Sequence, residues 1–310
     1  MITALVVIGG STASGKSALA LTLARELEAV IINADSQQLF ADLPILTARP
    51  SAADERLAAH RLYGLLAADE QPSVGRWLAL VEAELAVAQA ARRSVIIVGG
   101  TGLYLQALLH GIPAMPVIPP ALRAELRAWA AVSPAVALHT RLQRCDPAMA
   151  ARLQPGDRQR VLRALEVIEA TGRSLLAWQA DPRQRPSLPT APIGIALVPP
   201  AAAVNSRLEA RLDAMLDEGA MAEVAELLAR RPDAPLLPIA KVHGLRELAA
   251  VHRGTLMVDL ARTRIAAQIR QYAKRQRTWF RHQLPELQPL ATTGETDAAL
   301  AAVMASLGTR

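Results

Sequence analysis

Two rhythms of apolar and polar positions alternate along this chain. Continuous apolar runs at Leu5-Val6-Val7-Ile8, Ala29-Val30-Ile31-Ile32 and Val95-Ile96-Ile97-Val98 have no polar face, so they read as strands buried on both sides, over 3–9, 29–34 and 94–98. Between them the apolar residues fall at helical spacing, over 15–28, 52–69, 76–91 and 103–109. Strand–helix alternation predicts a parallel sheet with helices on both faces. The rhythm changes at Pro113, Pro116, Pro119 and Pro120. As far as about Asp181 only helical patterns occur, over 120–131, 134–143, 157–171 and 174–180, with a short turn near 147–153. Pro182, Pro186, Pro189 and Pro192 close this segment, and the run 193–198 returns as a strand. Long helices follow at 203–217, 220–231, 241–252 and 257–282. The pattern predicts an α/β core from residues 1–116 and 192–310, interrupted by an all-helical insertion over 117–191.

The first strand runs into Gly9-Gly10-Ser11-Thr12-Ala13-Ser14-Gly15-Lys16-Ser17 and then into a helix. Gly10, Gly15, Lys16 and Ser17 meet the pattern G-x-x-x-x-G-K-[ST] in the strand–turn–helix context that a phosphate-binding P-loop requires. The core is therefore expected to be P-loop NTPase-like. Glycines let successive N–H groups of residues 10–17 point inward at phosphate oxygens, and the helix adds the positive end of its dipole. Lys16 brings a full charge, and the Ser17 hydroxyl can ligate Mg²⁺. In open parallel sheets ligands sit beyond the carboxyl ends of the strands. Two other ends carry polar groups, Asp35-Ser36-Gln37-Gln38 and Gly99-Gly100-Thr101. Asp35 reads as a Mg²⁺-linked carboxylate, a general base or a helix N-cap; Thr101 reads as a ligand donor, an N-cap or both. A typical P-loop ATPase has an apolar strand ending in Asp, whereas the run 94–98 ends in Gly-Gly-Thr. The loop is thus expected to hold a diphosphate that leaves, without transfer of a γ-phosphate.

Bulk properties narrow the class. The 310 residues are 52% hydrophobic, enough for a sizeable core, with no apolar run long enough to span a membrane and no basic leader for a signal peptide. Cys145 is the single cysteine, which excludes an intramolecular disulfide and suits a reducing cytoplasm. The net charge of +6 favours a polyanionic partner. Three of the 34 cations are lysines, Lys16, Lys241 and Lys274, an arginine bias that reads as genomic base composition. On a helix over 257–282, Arg270, Lys274, Arg277 and Arg281 share one face, a stripe that suits a phosphodiester backbone or simply a solvated face. Arg158, Arg160 and Arg163 form a second basic cluster, and 241–246 a third. Tyr272 and Trp279 read as core packing ahead of base stacking.

Taken in order, these segments resemble the tRNA dimethylallyltransferase family, the bacterial tRNA isopentenyltransferases, across nearly the whole chain. The resemblance rests on the P-loop form, on Ile32-Asn33-Ala34-Asp35-Ser36-Gln37-Gln38 with Thr47-Ala48-Arg49-Pro50, and on Val98-Gly99-Gly100-Thr101-Gly102-Leu103-Tyr104. It continues through Asp157-Arg158-Gln159-Arg160 with Arg163-Ala164-Leu165-Glu166-Val167, and Lys274-Arg275-Gln276-Arg277-Thr278-Trp279. Departures are Ser11 for the usual proline, Leu245 for the usual aromatic and a histidine-rich segment reduced to His60. The resemblance implies transfer of a dimethylallyl group from its diphosphate to N6 of the adenosine 3′ of a tRNA anticodon, with Mg²⁺ as cofactor and a tRNA anticodon stem-loop as partner. It implies that Asp35 takes the amine proton while Lys16, Thr101 and Arg123 stabilise the diphosphate. It also implies tRNA contacts from Asp35, Ser36, Gln37 and Gln38, from Gln159, Arg160, Val161, Leu162 and Arg163, and from Lys241, Arg246, Arg270, Lys274, Arg277 and Arg281. Nothing demands a partner chain, so a monomer is expected. The rival expectation, a P-loop small-molecule or nucleotide kinase, leaves Gly99-Gly100-Thr101 and the basic helix unexplained. A GTPase-like RNA-binding module ranks lower, since no N-K-x-D motif is present.

Overall fold

The computed structural model describes residues 4–290 and 296–308; Thr3, where the first expected strand begins, lies outside them. The strands, in chain order, are β1 (Leu5–Gly10), β2 (Val30–Asn33), β3 (Ala59–Arg61), β4 (Val95–Gly99), β5 (Ile112–Pro113), β6 (Arg183–Gln184), β7 (Ile193–Leu197) and β8 (Gln288–Leu290). Six of them form one sheet in the order β3-β2-β4-β1-β7-β8, every pairing parallel. β1 lies inside it, with Val6 opposite Ile96 on one side and Ile193 on the other. From β1 the chain crosses to β2 and returns to β4; only later does it extend the sheet past β1 to β7. The strand order therefore reverses at the carboxyl end of β1, where such sheets open a crevice.

Continuous apolar runs fit this position because both faces of the strands are covered. Val6, Ile8, Ile31, Ile96, Val98 and Ile195 bury one face against Leu19, Ala20, Leu23 and Ala24 of the helix Lys16–Glu26, with Ala299 and Val303 of the helix Thr296–Gly308 alongside. On the other face the helix Val258–Gln283 brings Phe280 against Gly9.

Residues His110–Arg185 form a second compact unit with its own core, which includes Leu126, Leu138, Leu142, Val161 and Leu165. Its helices are Pro120–Val132, Ala135–Cys145, Pro147–Ala150, Arg158–Thr171 and Leu175–Ala180. Its two ends meet as the antiparallel pair β5–β6, with Ile112 opposite Gln184. The rest of the chain, Met1–Leu109 and Pro186–Arg310, is the first unit.

β6, paired with β5, interrupts the segment expected to be all-helical over 117–191, and three elements of the first unit also depart from the sequence expectation. The helix expected over 52–69 stops at Leu57: its start is fixed by the Ser51–Asp54 capping box, but Ala58 is extended and the next three residues pair with β2 as an edge strand. Sheet hydrogen bonds here override helix propensity, which is a weak local bias. β8 is three residues long and holds Pro289, too short to show a period and tolerated because it lies at an edge. The expected helix 241–252 begins only at Leu245, because Gly244 takes φ +95° and Pro238–Lys241 winds as a 3₁₀ turn.

At the end of β4, Gly99 lies directly against the backbone of Ala34, and a Cβ there would run into that chain. Gly99→Ala is therefore expected to push the tips of β2 and β4 apart, at a cost of about 1–3 kcal/mol. Urea denaturation measures this, and an unchanged midpoint would refute the packing argument.

Candidate active site

β1 ends in Gly9-Gly10, and the helix resumes at Lys16 after Gly15 at φ +92°, a conformation costly for any residue with a Cβ. No side chain caps this helix, so its first amides remain available to an anion. The hydroxyl oxygens of Ser11 and Ser14 are buried without a hydrogen-bond partner among the described residues. Lys16 is 9% exposed, and its Nζ donates to the Ser11 carbonyl at 3.3 Å. Burial lowers its pKa to about 8, Arg211 pushes the same way and Asp35 opposes them. The loop thus presents a buried cation, uncapped amides and unsatisfied hydroxyls together, the furnishings of an anion site.

Asp35 stands at the tip of β2. Its N–H donates to Asn33 Oδ1 at 2.7 Å, and its Oδ1 accepts from the Gln37 N–H at 3.0 Å in a local turn; no helix starts here, which removes the N-cap reading. Asn33 Nδ2 in turn donates to the Asp35 and Leu62 carbonyls, both at 3.0 Å. Thr101 N–H donates to the Ala34 carbonyl at 3.1 Å, and Thr101 Oγ1 accepts the Ser36 N–H at 2.9 Å. The tips of β2 and β4 are therefore stitched together, with the carboxylate and the threonine hydroxyl on adjacent turns. Burial, and after it the charge of Asp35, raises the pKa of the Tyr104 and Tyr272 phenols, so both stay neutral.

Loop and tip open on one cleft. Thr12, Lys16, Ser17, Asp35, Gln37, Gln38 and Arg211 supply its polar lining, and Leu46, Leu208, Leu212, Met215, Ile265 and Ile269 its apolar lining. A ligand with an anionic end and an apolar end matches that division. Burial lowers the Arg211 pKa, offset by Asp35 and Glu218. Arg211 escaped the sequence reading, although it lies on the stripe Leu208, Leu212, Met215 of the helix Ala201–Asp217, where a charge among core positions was the available signal. Glu223 was also missed. Its carboxylate accepts the N–H groups of Ile45 and Leu46 at 2.7 and 2.9 Å, while Gln38 Nε2 donates to the Thr47 and Ala48 carbonyls at 3.1 and 2.7 Å. Together they hold the turn that carries Leu46 into the cleft. The amide nitrogen of Gln38 is fully engaged by that turn.

Beside it, Lys241, Arg246, Arg275 and Gln271 line a second, polar cleft of about 620 Å³, with His243 common to both. Burial and Arg275 lower the His243 pKa, so the ring is neutral. On the helix Val258–Gln283, Lys274 and Arg281 are exposed, while Arg270 is tied to Glu209 at 3.1 Å. Arg277 is half-buried.

The helical unit carries the remaining expected residues. Gln159 and Arg160 are exposed, Leu162 and Arg163 half-buried, and Val161 is wholly buried, so only its main chain can face a ligand. Arg123, Arg127 and Arg163 converge on the buried Glu166 carboxylate, at 3.8, 3.4 and 3.3 Å. Three guanidinium groups on one carboxylate leave a surplus of positive charge at that surface.

Ser17 is exposed at the start of its helix and lines the same cleft as Asp35. No cluster of three or more His, Cys, Asp or Glu side chains occurs among the described residues. The Ser17 hydroxyl is an oxygen donor of the kind a Mg²⁺ takes beside phosphate oxygens and water.

Residues 38–283 match the model of the IPP transferase family. A tRNA dimethylallyltransferase of Rhodospirillum rubrum is 51% identical over 280 residues, covering 90% of this chain and 86% of the relative. A full-length tRNA isopentenylpyrophosphate transferase from Bacillus halodurans has a similar structure, with TM-score 0.71 and 28% identity over 99% of this chain and 96% of that one. A eukaryotic dimethylallyltransferase acting on tRNA shares the fold, with TM-score 0.80, 24% identity and coverage of 99% and 80%. No helix among the described residues is long and apolar enough to cross a membrane.

Lys16 generates a pH prediction. Its lowered pKa means that raising pH through about 8 strips the charge from the empty site. An anion restores that charge, so above this point binding takes up a proton. Affinity for an alkyl diphosphate, itself fully ionised in this range, is expected to fall by up to about tenfold per pH unit above pH 8. Calorimetric titration in buffers of different ionisation enthalpy measures both effects; constant affinity without proton uptake would contradict the assignment.

Proposed function

Because the chain belongs to the IPP transferase family, we propose that it transfers a dimethylallyl group from dimethylallyl diphosphate to N6 of the adenosine 3′-adjacent to the anticodon of tRNA, position 37, releasing diphosphate. The observation that carries this reading is the cleft itself, in which a buried ammonium and a carboxylate at neighbouring strand tips face a pocket walled by leucine and isoleucine. A kinase needs no such apolar wall, and the family match does not favour one.

The adenine amine is a weak nucleophile because its lone pair is delocalised into the ring. The allylic carbon compensates by carrying positive charge as its C–O bond breaks. Stabilisation is needed chiefly on the departing diphosphate, where Lys16, Arg211 and the uncapped amides that open the helix Lys16–Glu26 act. Ser17 would offer its hydroxyl to a Mg²⁺ bound with the diphosphate, and such an ion would supply further neutralisation of that charge. As the N6–carbon bond forms, N6 gives up a proton to the Asp35 carboxylate, which passes it to solvent. Thr101 braces the turn after Asp35 through the Ser36 amide. The target base must leave its stack to enter the cleft. Gln37, Lys241, Arg246 and Arg275 border the space open to it. Lys274, Arg277 and Arg281 of the first unit offer positive charge to the phosphodiester backbone of the anticodon stem-loop, and so, on the helical unit, do Arg160 and Arg163; Arg123, expected to stabilise the diphosphate, is ion-paired with Glu166. The proposed enzyme works as a monomer in the cytoplasm, where the tRNA substrate of this reading would be met.

Asp35→Asn keeps the shape of the tip and removes the base. Turnover is expected to fall about 10²–10⁴-fold with tRNA affinity within threefold of wild type. Mass analysis of nucleosides from reacted tRNA, alongside filter binding, measures both; full turnover in this variant would remove Asp35 from the mechanism. Affinity for tRNA is also expected to fall steeply between 50 and 200 mM salt, on the order of 10³-fold for six phosphate contacts. A flat response would contradict the assignment of the basic surfaces.

A further inference from the structure

Gln276 belongs to the buried stripe of the helix Val258–Gln283, between Ala273 and Phe280, and is 4% exposed. A polar side chain so placed must satisfy its own amide, and both ends of this one are used. Its Oε1 accepts the Thr12 N–H at 2.8 Å, and its Nε2 donates to the Gly100 carbonyl at 2.9 Å. Thr12 belongs to the phosphate loop, and Gly100 precedes Thr101 at the tip of β4. Tyr272, one turn earlier, lines the same cleft as Asp35. Thr101 accepts from Ser36, the residue after Asp35. Gly100 is bare where the amide arrives: a Cβ there would strike Gln276 Nε2 and lie 3.3 Å from Asp35 Oδ2.

One rigid amide thus spans the two parts of the site that handle different substrates. The loop holds the leaving group, and the tip holds the base that readies the nucleophile. Transfer needs the amine nitrogen and the allylic carbon about 3–3.5 Å apart and aligned, and an error of 1 Å costs about 10²-fold in rate. The Thr12 N–H is occupied by Gln276, so this amide sets the course of the loop without binding an anion itself. We propose that Gln276 is a positioning residue for the transfer step, fixing the spacing between the diphosphate loop and the Asp35–Thr101 tip. The inference rests on the transferase reading above.

The test is single-turnover prenylation at saturating tRNA and dimethylallyl diphosphate, with affinities for each substrate and the thermal midpoint measured separately. Gln276→Met keeps the shape and removes both hydrogen bonds. Its rate is expected to fall on the order of 10- to 100-fold while each dissociation constant stays within threefold, a split that weakened folding or weakened binding does not produce. A rate within threefold of wild type, or a loss that vanishes at saturation, overturns the proposal. Should Gln276→Met fail to fold, Gln276→Glu decides, since it keeps an acceptor for the Thr12 amide and loses the donor to the Gly100 carbonyl. A several-fold slower step with unchanged affinities supports the proposal, and an unchanged rate overturns it. Wild-type protein that forms no prenylated adenosine sinks the transferase reading first, and a wild type that works beside an unaffected Gln276→Met sinks this inference alone.

Discussion

A buried ammonium with no counter-ion at contact distance among the described residues is the constraint around which this molecule is built. Lys16 is brought out of water by the loop that closes over it, and the cost appears as a pKa drawn down to about 8. Its environment makes sense once an anion is supplied. Buried hydroxyls of Ser11 and Ser14, an uncapped helix start and the desolvated Arg211 all await the same charge. The fold exists to set that arrangement at one end of a parallel sheet, at the place where strand order reverses.

Opposite the cations stands one carboxylate. Asp35 influences the ionisation of Lys16, Arg211 and His243 and of the Tyr63, Tyr104 and Tyr272 phenols. No other acidic group among the described residues is so widely felt in the cleft. In the proposed reaction, an acid and two cations in one cleft separate the roles of leaving-group binder and proton acceptor without a change of scaffold. The apolar wall from Leu46 to Ile269 then selects what lies between them. Elements far apart in sequence maintain that wall, as Glu223 does by bonding the amides of Ile45 and Leu46.

How much of this was legible in the sequence depended on the range of the interactions. β1, the P-loop and the helix after it announce themselves because glycine, lysine and serine at fixed spacing answer to a local geometry. β2 and β4 were legible as unbroken apolar runs, and the ends of those runs gave Asp35 and Thr101. The edge strands β3 and β8 were not, since each is three residues long and exists only because a neighbour offers hydrogen bonds. Arg211 and Gln276 were hidden for a related reason. Each sits on the apolar stripe of a long helix, and the partner that makes a polar residue tolerable there lies far away in the chain. For Gln276 that partner is Thr12, 264 positions away. A polar residue in a core stripe is a signal, but it gives no address.

A crystal structure with a thio-linked dimethylallyl diphosphate analogue and an anticodon stem-loop tests the central claim most directly. The account predicts diphosphate oxygens within hydrogen-bond reach of Lys16 Nζ, the hydrocarbon against Leu46 and Ile269, and the adenine N6 about 3 Å from an Asp35 carboxylate oxygen. A donor bound away from Lys16, or an adenine amine out of reach of Asp35, would contradict it.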